Sequence, residues 1–327
     1  MDKYIKTFSE ITKKSVAEAG GKGASLGEMT NAGIPVPPGF VVLASAFDEF
    51  INNSEIAADI EAILRKVNHK DVNSVDRASN EIRALILQEP MPKHLQKEIT
   101  SRFKKLKSKY VAVRSSATAE DSKVASWAGE LETYLNTTEK NLLKQVKKCW
   151  SSLFTTRAIF YRFEKKLHKT RVSVAVVVQA MVQSEISGIC FTVHPVTEDK
   201  NQLLIEAGYG LGEAIVSGSI TPDSYVVEKN TNSLLEVNIA DQEKMIAKTP
   251  SPSSSPPRAG GGGGNKWVAV KKGLRDKQKL SGRQIMELAG ICMGVEGHYG
   301  FPCDIEWAFY KGKFYITQSR PITTLKR

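Results

Sequence analysis

Apolar residues recur along the chain at two spacings, and the two spacings predict different elements. A repeat of three or four positions puts side chains on one face of a helix, and it predicts helices over 56–87, 94–106, 142–163 and 283–299. Short runs that are almost wholly apolar, or that alternate with polar residues, are typical of strands. They predict strands near 110–116, 172–178, 188–192, 203–207 and 225–227. The helices over 56–106 contain no chemistry-bearing motif, and we interpret them as scaffold.

The last patterned stretch, 301–321, predicts a β-hairpin. Aromatic and β-branched residues flank a turn at 310–312, and polar Asp304 and Glu306 alternate with apolar neighbours. Taken alone, the stretch is more typical of an ordinary edge hairpin with solvated acids. The other motifs of the chain favour a functional interpretation.

The register of this hairpin decides which polar side chains share a face. A two-residue turn at 311–312 would put Gln318 opposite Ile305, away from the acids. A three-residue loop with Gly312 in the left-handed conformation pairs Asp304 with Gln318 instead. We expect this second register.

In the expected register, Asp304, Glu306 and Gln318 form a compact row of oxygen ligands, which is the hard set that Mg²⁺ prefers. Arg320 follows on the same face of the second strand, where a guanidinium can contact a phosphate. The hairpin therefore predicts a combined metal and phosphate site.

Composition narrows the class of protein. The chain has 327 residues, 41% hydrophobic and 25% charged, which is typical of a globular protein with two or three compact units. Much of its net charge of +11 lies in helical stretches at 102–109, 140–148, 162–169 and 266–279. Because these lysines are spread among acids and no recognised nucleic-acid motif accompanies them, solvated helix faces are favoured over nucleic-acid binding.

The four cysteines are widely separated and show no C-x-x-C spacing, which indicates reduced, packed residues rather than a zinc site. The N-terminus lacks the apolar core of a signal peptide. There is also no run of about 18 apolar residues that could span a membrane. These features predict a cytoplasmic protein with no membrane partner.

A glycine cluster, Gly20-Gly21-Lys22-Gly23, opens into a helical pattern. Backbone without Cβ atoms can approach an anion closely while the Lys22 ammonium neutralises the charge. The segment does not match the Walker P-loop G-x-x-x-x-G-K-[ST]. A flexible glycine turn without a ligand is the alternative interpretation.

Two further stretches offer phosphate contacts. The strand near 110–116 ends with Arg114 beside two serines, and a guanidinium next to hydroxyls suits a phosphate. In the stretch 125–135, small residues around Gly129 indicate a loop that can fold over a ligand, and Thr133 begins the next strand.

The apolar strand 172–178 leads into an apolar turn at 179–182. Such an arrangement can give adenine a flat pocket and backbone hydrogen bonds. The alternative is an interdomain strand with no ligand. Farther along, the stretch 249–264 is rich in Pro, Ser and Gly, which is typical of a linker or mobile loop.

Taken together, these segments resemble the nucleotide-binding domain of the phosphoenolpyruvate synthase (pyruvate, water dikinase) family. The resemblance runs from residue 3 to residue 325 through GGKGASLGEM, GIPVPPGFVV, VAVRSSATAEDS, ASWAGELETYLN, SLFTTRAIFYR, VVVQAMVQSEISGICFT, EAGYGLGEAIVSG, TPDSY, GFPCDIEWAF and ITQSRPITTL. Pyruvate phosphate dikinase and rifampicin phosphotransferase share the domain and are the close alternatives. The RSSATAED and QSRPIT segments are more similar to the synthase.

The resemblance implies an α+β, ATP-grasp architecture that holds ATP between two lobes, which we divide at 1–185 and 186–327. It also implies roles for the residues of the matching motifs. Phosphates would contact Lys22 and Arg114, with Gly129 and Thr133 over them; adenine would meet Gln179, Met181 and Val182; Mg²⁺ would bind Glu306 and Gln318; Asp304 and Arg320 would complete the cluster. Lys22, Arg114 and Arg320 would neutralise charge that develops on the phosphates.

The implied reaction converts pyruvate, ATP and water to phosphoenolpyruvate, AMP and phosphate. In the family, the β-phosphoryl of ATP passes to a carrier histidine on a swivelling domain and then to pyruvate on a barrel domain. The sequence contains neither the Thr-Ser-His-Ala type motif of that carrier nor the pyruvate-binding domain. We therefore expect either an excised domain or a separately encoded ATP subunit that phosphorylates a carrier histidine on another chain. A nucleotide-sensing module without chemistry and a basic nucleic-acid-binding protein are the alternative hypotheses.

Overall fold

The computed structural model describes residues 3–118, 132–165, 167, 172–248, 265–323 and 325, and its helices and strands form two compact units. Unit 1 comprises Met1–Glu28 and Pro38–Met181, and unit 2 comprises Met29–Pro37 and Val182–Arg327. Each unit has its own sheet and its own helices, which confirms the expected α+β class.

Unit 1 is built on a five-stranded sheet. Its strands are β1 (Ile5–Thr7), β2 (Gly39–Val42), β3 (Val111–Ala117), β4 (Thr133–Thr137) and β5 (Val174–Ala180). They lie in the order β1-β2-β5-β3-β4, and every neighbouring pair is antiparallel. The most apolar strand, β5, is therefore at the centre, where both of its edges are hydrogen-bonded and its side chains are buried.

Helices cover one face of this sheet. They are α2 (Ala44–Asn52), α3 (Ile56–Lys66), α4 (Val72–Gln88), α5 (Lys93–Leu106), α6 (Glu139–Ser151) and α7 (Thr156–Glu164). Helix α1 (Val16–Asn31, whose last turn belongs to unit 2) contacts the opposite face through its glycines. The apolar faces of α2 to α7 and alternate residues of β3 and β5 form one core around Trp150. This packing leaves the other face of β3 and β5 for different partners.

The single helix expected over 142–163 is wrong. α6 ends at Ser151, a short 3-10 turn spans Ser152–Phe154, and α7 then begins with Thr155 as its N-cap. The Thr155 hydroxyl accepts a hydrogen bond from Ala158 N–H at 3.1 Å, which starts a new helix. The apolar repeat continued through the break because residues of the 3-10 turn are buried in the same core.

Unit 2 contains a six-stranded antiparallel sheet and a separate two-stranded one. The large sheet has the order β13-β12-β6-β7-β8-β9, from β6 (Ile186–Phe191), β7 (Gln202–Tyr209), β8 (Asp223–Glu228), β9 (Ser233–Asn238), β12 (Cys303–Tyr310) and β13 (Lys313–Pro321). The small sheet pairs β10 (Lys244–Lys248) with β11 (Asn265–Ala269). The helices are α8 (Glu213–Val216) and α9 (Gly282–Tyr299).

Helix α9 covers one face of the large sheet. Its N-cap is Ser281, whose hydroxyl accepts from Gln284 N–H while the Gln284 side chain bonds back in a capping box. The buried side of α9 includes Cys292, whose thiol contacts that of Cys190, and Cys190 lies opposite Ile305 of β12. The even-numbered residues of β12 therefore project from the face that α9 does not cover.

Two expectations fall on undescribed residues: the linker at 249–264, and the part of the 125–135 loop that precedes residue 132. Within the ranges given above, no helix combines the length and the apolar character needed to cross a membrane.

Candidate functional site

The glycine cluster of α1 packs directly against β3. α1 departs from helical geometry at Gly20, with φ 69° and ψ 173°, so the helical turn that bears Lys22 starts anew after this residue. A Cβ on Gly20 would lie 2.2 Å from Ser116 Oγ and 2.4 Å from its carbonyl oxygen, so only glycine fits. Gly23 N–H also donates to Ser116 Oγ at 3.3 Å. The glycines therefore fix the position of the Lys22 turn on the end of β3.

Three predicted site residues share one face of the unit 1 sheet. Arg114 on β3 lies directly opposite Thr133 on β4, and opposite residues of an antiparallel pair project to the same face. Two residues before Arg114, Ala112 pairs with Gln179 of β5, so Gln179 belongs to this face too. Ser116, two residues after Arg114, is the contact of the glycine turn. The sheet therefore brings Arg114, Thr133 and Gln179 to the face on which that turn packs.

Electrostatics also connect Lys22 to this region. The Cys149 thiol of α6 is fully buried, which raises its pKa to about 12. A hydrogen bond with Ser115 and the positive charges of Lys22 and Lys148 act in the opposite direction. The Lys22 ammonium therefore lies near enough to β3 to influence a group that contacts Ser115, the residue after Arg114.

Thr133 is positioned through the residue before it. The Glu132 carboxylate accepts hydrogen bonds from Arg83 Nη2 of α4, at 2.8 Å, and from the Tyr134 hydroxyl. The Glu132 carbonyl accepts from Ser115 N–H at 3.1 Å. These contacts fix the start of β4. Gly129, which was expected over the phosphates, lies outside the described residues.

The expected adenine segment lies at the end of β5. Gln179 is buried. Met181 N–H donates to the Tyr110 carbonyl at 3.0 Å, and Ala180 N–H donates to the Pro38 carbonyl at 2.8 Å. At positions 180 and 181 an adenine edge would therefore meet carbonyls and side chains, since both N–H groups are engaged. Val182, the third expected residue, is the first residue of its unit 2 segment.

The closing hairpin has a shorter loop than expected. A two-residue turn joins β12 to β13, with Lys311 and Gly312 both left-handed at φ 49° and 76°. These are the signs expected at the two central residues of a type I′ turn, which matches the twist of the flanking strands. The expected three-residue loop and the expected pairing of Asp304 with Gln318 are both wrong. Asp304 lies opposite Arg320 instead.

A β-bulge corrects the phase that the short turn would otherwise have set. Thr317 is the extra residue between the pairs Trp307–Ile316 and Glu306–Gln318. Its hydroxyl donates to the Glu306 carbonyl at 3.2 Å, which holds the bulge against β12. Because of this one additional residue, Asp304, Glu306, Gln318 and Arg320 project from the same face. This shared face was expected, although from a three-residue loop and not from a bulge.

Within this row, Asp304 and Arg320 form an ion pair. Arg320 Nη2 and Nε lie 2.7 and 2.8 Å from the same carboxylate oxygen of Asp304. The Asp304 side chain is 11% exposed and that of Arg320 is 43% exposed. The buried carboxylate therefore fixes the guanidinium, which remains accessible to solvent. Glu306 and Gln318 form the neighbouring pair and offer a carboxylate and an amide oxygen side by side.

The donor set fits Mg²⁺ that arrives with a nucleotide. In the described part of the chain, no group of three or more His, Cys, Asp and Glu side chains could hold a metal. Mg²⁺ commonly takes one or two protein carboxylates and completes its octahedron with phosphate oxygens and water. Glu306 and Gln318 are sufficient for that arrangement and insufficient for a cation held by protein alone.

Glu206 on β7 is a further carboxylate that the sequence reasoning missed. It pairs with Ile189 of β6, which on its other side pairs with Glu306, so both glutamates lie in one row across three strands. Burial raises the pKa of Glu206, and the nearby charge of Asp304 raises it further. The available signal was a single acid within the otherwise apolar strand Leu-Leu-Ile-Glu-Ala.

Comparison with known proteins finds similarity along almost the whole chain. The family described as "Pyruvate phosphate dikinase, AMP/ATP-binding domain" matches residues 16–327. Proteins named "Probable phosphoenolpyruvate synthase" from Methanocaldococcus jannaschii and Archaeoglobus fulgidus are 46% and 45% identical over 99% and 98% of this chain. The "Phosphoenolpyruvate synthase" of Pyrococcus furiosus is 42% identical over 99%. These matches cover 27%, 42% and 44% of the respective relatives, so the chain spans less than half of their length.

Proposed function

The chain belongs to the pyruvate phosphate dikinase AMP/ATP-binding domain family, and on that basis we propose that it binds Mg–ATP and donates a phosphoryl group in a phosphoenolpyruvate synthase reaction. In this proposal the β-phosphoryl of ATP passes to a histidine of a carrier domain that this sequence does not contain. The overall reaction, which includes this transfer, converts pyruvate, ATP and water to phosphoenolpyruvate, AMP and phosphate. The observation that carries the proposal is the register of the closing hairpin, which puts Glu306 opposite Gln318 and Arg320 beside them.

In unit 1, the proposed ligands are the phosphates and the base. Lys22 and Arg114 neutralise phosphate charge, and Thr133 contacts a phosphate from the neighbouring strand. We assign Gln179, Met181 and Val182 to the adenine and Gly129 to the phosphates. The common face of Arg114, Thr133 and Gln179 supports this assignment.

In unit 2, the proposed ligand is the cation that accompanies the nucleotide. Glu306 and Gln318 hold Mg²⁺, and Asp304 orients Arg320 toward a phosphate. Bound there, Mg²⁺ would supply charge neutralisation at the phosphate oxygens. The Arg320 guanidinium would add fixed positive charge from the protein, where phosphoryl transfer needs it.

Calorimetric titration of the full chain with Mg–ATP tests the phosphate assignment. We expect Lys22→Ala and Arg114→Ala each to weaken binding by about 10- to 100-fold, since a hydrogen bond to a charged group contributes about 1.5–3 kcal/mol. Lys14→Ala is the matched control, because this exposed lysine belongs to the same segment. Unchanged affinity in both site variants would remove the phosphate assignment.

The metal assignment requires a comparison of ATP binding with Mg²⁺ and with a chelator. Glu306→Gln and Gln318→Ala should reduce the affinity for Mg–ATP while leaving that for metal-free ATP nearly unchanged, because their oxygens act through the cation. Glu236→Gln, at an exposed acid on β9 of the same sheet, is the control. Equal losses with and without Mg²⁺ would argue against a metal role.

Chemistry is tested separately from binding. The chain is incubated with β-³²P-labelled ATP and a carrier-histidine domain taken from one of the named relatives. Acid-labile label on the carrier, and AMP as the nucleotide product, are the expected results. Tight Mg–ATP binding without transfer would favour the alternative of a nucleotide-sensing module.

A further inference from the structure

The positive charge of the chain is concentrated in two neighbouring helices. Residues 93–109 and 139–148 contain eleven Lys and Arg side chains and two Glu, a net charge of +9, whereas the whole chain has +11. The first stretch is α5 with the three residues that follow it, and the second is the first ten residues of α6. Neither stretch supplies a residue of the proposed nucleotide site, so that function does not account for the charge.

The two helices pack against each other and turn their charges outward. Apolar residues of both helices are buried in the core of unit 1, including Leu95, Ile99, Leu142 and Val146. The exposed side chains are largely lysines: Lys93, Lys97, Lys104 and Lys105 on α5, and Lys140 and Lys144 on α6. A salt bridge of 3.3 Å between Lys104 Nζ and Glu139 Oε1 joins the end of α5 to the start of α6. The two rows of lysines therefore form one surface.

An apolar groove lies at this surface, where α4 ends against α5 and α6. Its volume is about 370 Å³, and its lining residues are Leu87, Met91, Gln96, Leu143, Lys144 and Lys147. Lys147 Nζ donates to the carbonyls of Leu87 and Glu89 at 2.6 and 2.8 Å, which caps the C-terminal end of α4. Its ammonium is therefore engaged and its aliphatic stem is available as part of the wall. Exposed Lys144 remains at the rim.

We propose that this lysine-rimmed groove docks an acidic, amphipathic segment of a partner protein. An apolar side chain of the segment enters the groove, and carboxylates on either side pair with Lys97, Lys104 and Lys144. The groove is near the lower end of the volume range of ligand pockets, which is enough for one or two apolar side chains. Of its polar lining residues, Gln96 and Lys147 already donate to backbone carbonyls of the fold, so Leu87, Met91 and Leu143 provide its binding surface.

The chemistry of the surface favours a polypeptide over a nucleic acid. Proteins that hold single strands combine positive charge with aromatic side chains on which bases stack. In the described part of the chain, none of the exposed large hydrophobic residues lies on α5 or α6. An apolar side chain flanked by carboxylates can fill the groove and pair with the lysines around it. A phosphate backbone has no apolar group that could fill the groove.

Fluorescence anisotropy with a defined probe tests the proposal on the full chain. The probe is a fluorescein-labelled helical peptide of about 16 residues, roughly 24 Å long and close to the length of α5, with leucines on one face flanked by glutamates. We expect saturable binding. Replacing the leucines by serine should lower the affinity roughly tenfold, since the apolar face contributes to helix-in-groove recognition.

Two variants with the same change in net charge test whether peptide binding depends on the lysines around the groove. Lys97→Glu, Lys104→Glu and Lys144→Glu together should weaken peptide binding by about tenfold or more, because three pairs become repulsive. The control is Lys271→Glu, Lys272→Glu and Lys277→Glu, which changes the net charge by the same amount at exposed positions of unit 2. It should change affinity by less than about twofold. Equal losses in the two variants would overturn the proposal in favour of general charge attraction.

A milder variant and further measurements complete the test. Leu143→Ser removes apolar wall without altering charge, and it should weaken the leucine peptide but not the serine peptide. Circular dichroism and Mg–ATP affinity, unchanged in every variant, establish that the fold is retained. Tighter binding of a single-stranded RNA or of phosphatidylserine vesicles, or dimerisation lost in the triple lysine variant, would reject a peptide partner and identify the other occupant.

Discussion

Glu206 is a carboxylate in surroundings that disfavour its charge. Burial raises its pKa above the ordinary value of 4.5, and Asp304 adds to the effect. As pH rises through the unfolded value, the unfolded chain releases this proton first, while the folded chain keeps it until the higher folded pKa is passed. The free energy of unfolding therefore falls across that window, and the full cost is present once the pH exceeds the folded pKa.

We predict that Glu206→Gln stabilises the protein at pH 7 and that this gain disappears as the pH falls below the unfolded pKa of the glutamate. The amide retains the shape and removes the charge, so the difference from the parent protein should follow the titration of this one group. Urea unfolding at several pH values measures it. Glu236→Gln, at an exposed position, should give no such trend. A gain independent of pH would mean that the effect is not electrostatic.

The closing hairpin illustrates how one element can satisfy two demands. Its turn uses Lys311 in the left-handed region, where a side chain with a Cβ is disfavoured, while Gly312 is well suited to its place. The bulge at Thr317 then adjusts the register that this turn imposes. The turn therefore sets the length of the loop, and the bulge determines which side chains share the polar face.

At the element scale, we predict that Lys311→Asn raises the free energy of unfolding by about 0.5–1 kcal/mol, since Asn-Gly is a preferred type I′ sequence. Lys311→Val should have the opposite effect, because a β-branched residue is strongly disfavoured at positive φ. Lys313→Asn, in the following strand, is the control and should not stabilise. Denaturant unfolding measures all three. No gain from asparagine would contradict the turn geometry.

At the scale of the whole molecule, unit 2 is tied together by a fully buried ion pair. Lys279 Nζ lies 2.8 Å from the Asp223 carboxylate, and neither side chain is exposed. The same carboxylate accepts hydrogen bonds from Lys279 N–H and Ala240 N–H, both at 2.9 Å, and from the Tyr225 hydroxyl at 2.7 Å. The Asp223 carboxylate thus joins β8 to the segments around Ala240 and Lys279.

Buried cysteines allow the two units to be followed separately. Cys149 lies in unit 1, and Cys190, Cys292 and Cys303 lie in unit 2; all four are buried. Burial raises the pKa of Cys303 to about 11, and it raises that of Cys190 as well. Native thiols should therefore react slowly, so that labelling in denaturant reports the opening of each unit.

We predict that Asp223→Asn destabilises unit 2 by about 3–5 kcal/mol, because Lys279 is left buried without its counter-charge. Cys190, Cys292 and Cys303 should then be labelled at lower urea concentrations than in the parent protein, while the labelling of Cys149 is unchanged. Mass spectrometry of the labelled peptides gives the midpoints. Equal shifts at all four cysteines would show that the units unfold together.

Glu61→Gln is the control for this experiment. It breaks the exposed pair of Glu61 with Arg65, which lies one helical turn away in α3 of unit 1. Exposed pairs of this kind contribute only about 0.3–0.5 kcal/mol, so no thiol should respond measurably. A response as large as that of Asp223→Asn would mean that labelling does not report local stability.

Local features of the chain could be predicted without coordinates. Hydrophobic spacing indicated most helices and strands, glycine placement indicated the turn at Gly20 and the hairpin at Gly312, and the ordered motifs identified the family, which is confirmed. These inferences succeed because periodicity, capping and left-handed backbone depend on near neighbours in sequence. The site residues stay predictions, which the experiments above address, and the division at 1–185 and 186–327 stays a prediction as well.

The tertiary structure decided the features that depend on partners distant in sequence. The bulge at Thr317 sets which side chains share a face, and it forms against Glu306 on the neighbouring strand. The charge cost at Glu206 arises only when the sheet buries it near Asp304. The sequence by itself therefore determined which elements and motifs exist, because adjacent residues specify them. Packing between distant segments decided the register, the burial of each acid, and the assignment of Met29–Pro37 to unit 2.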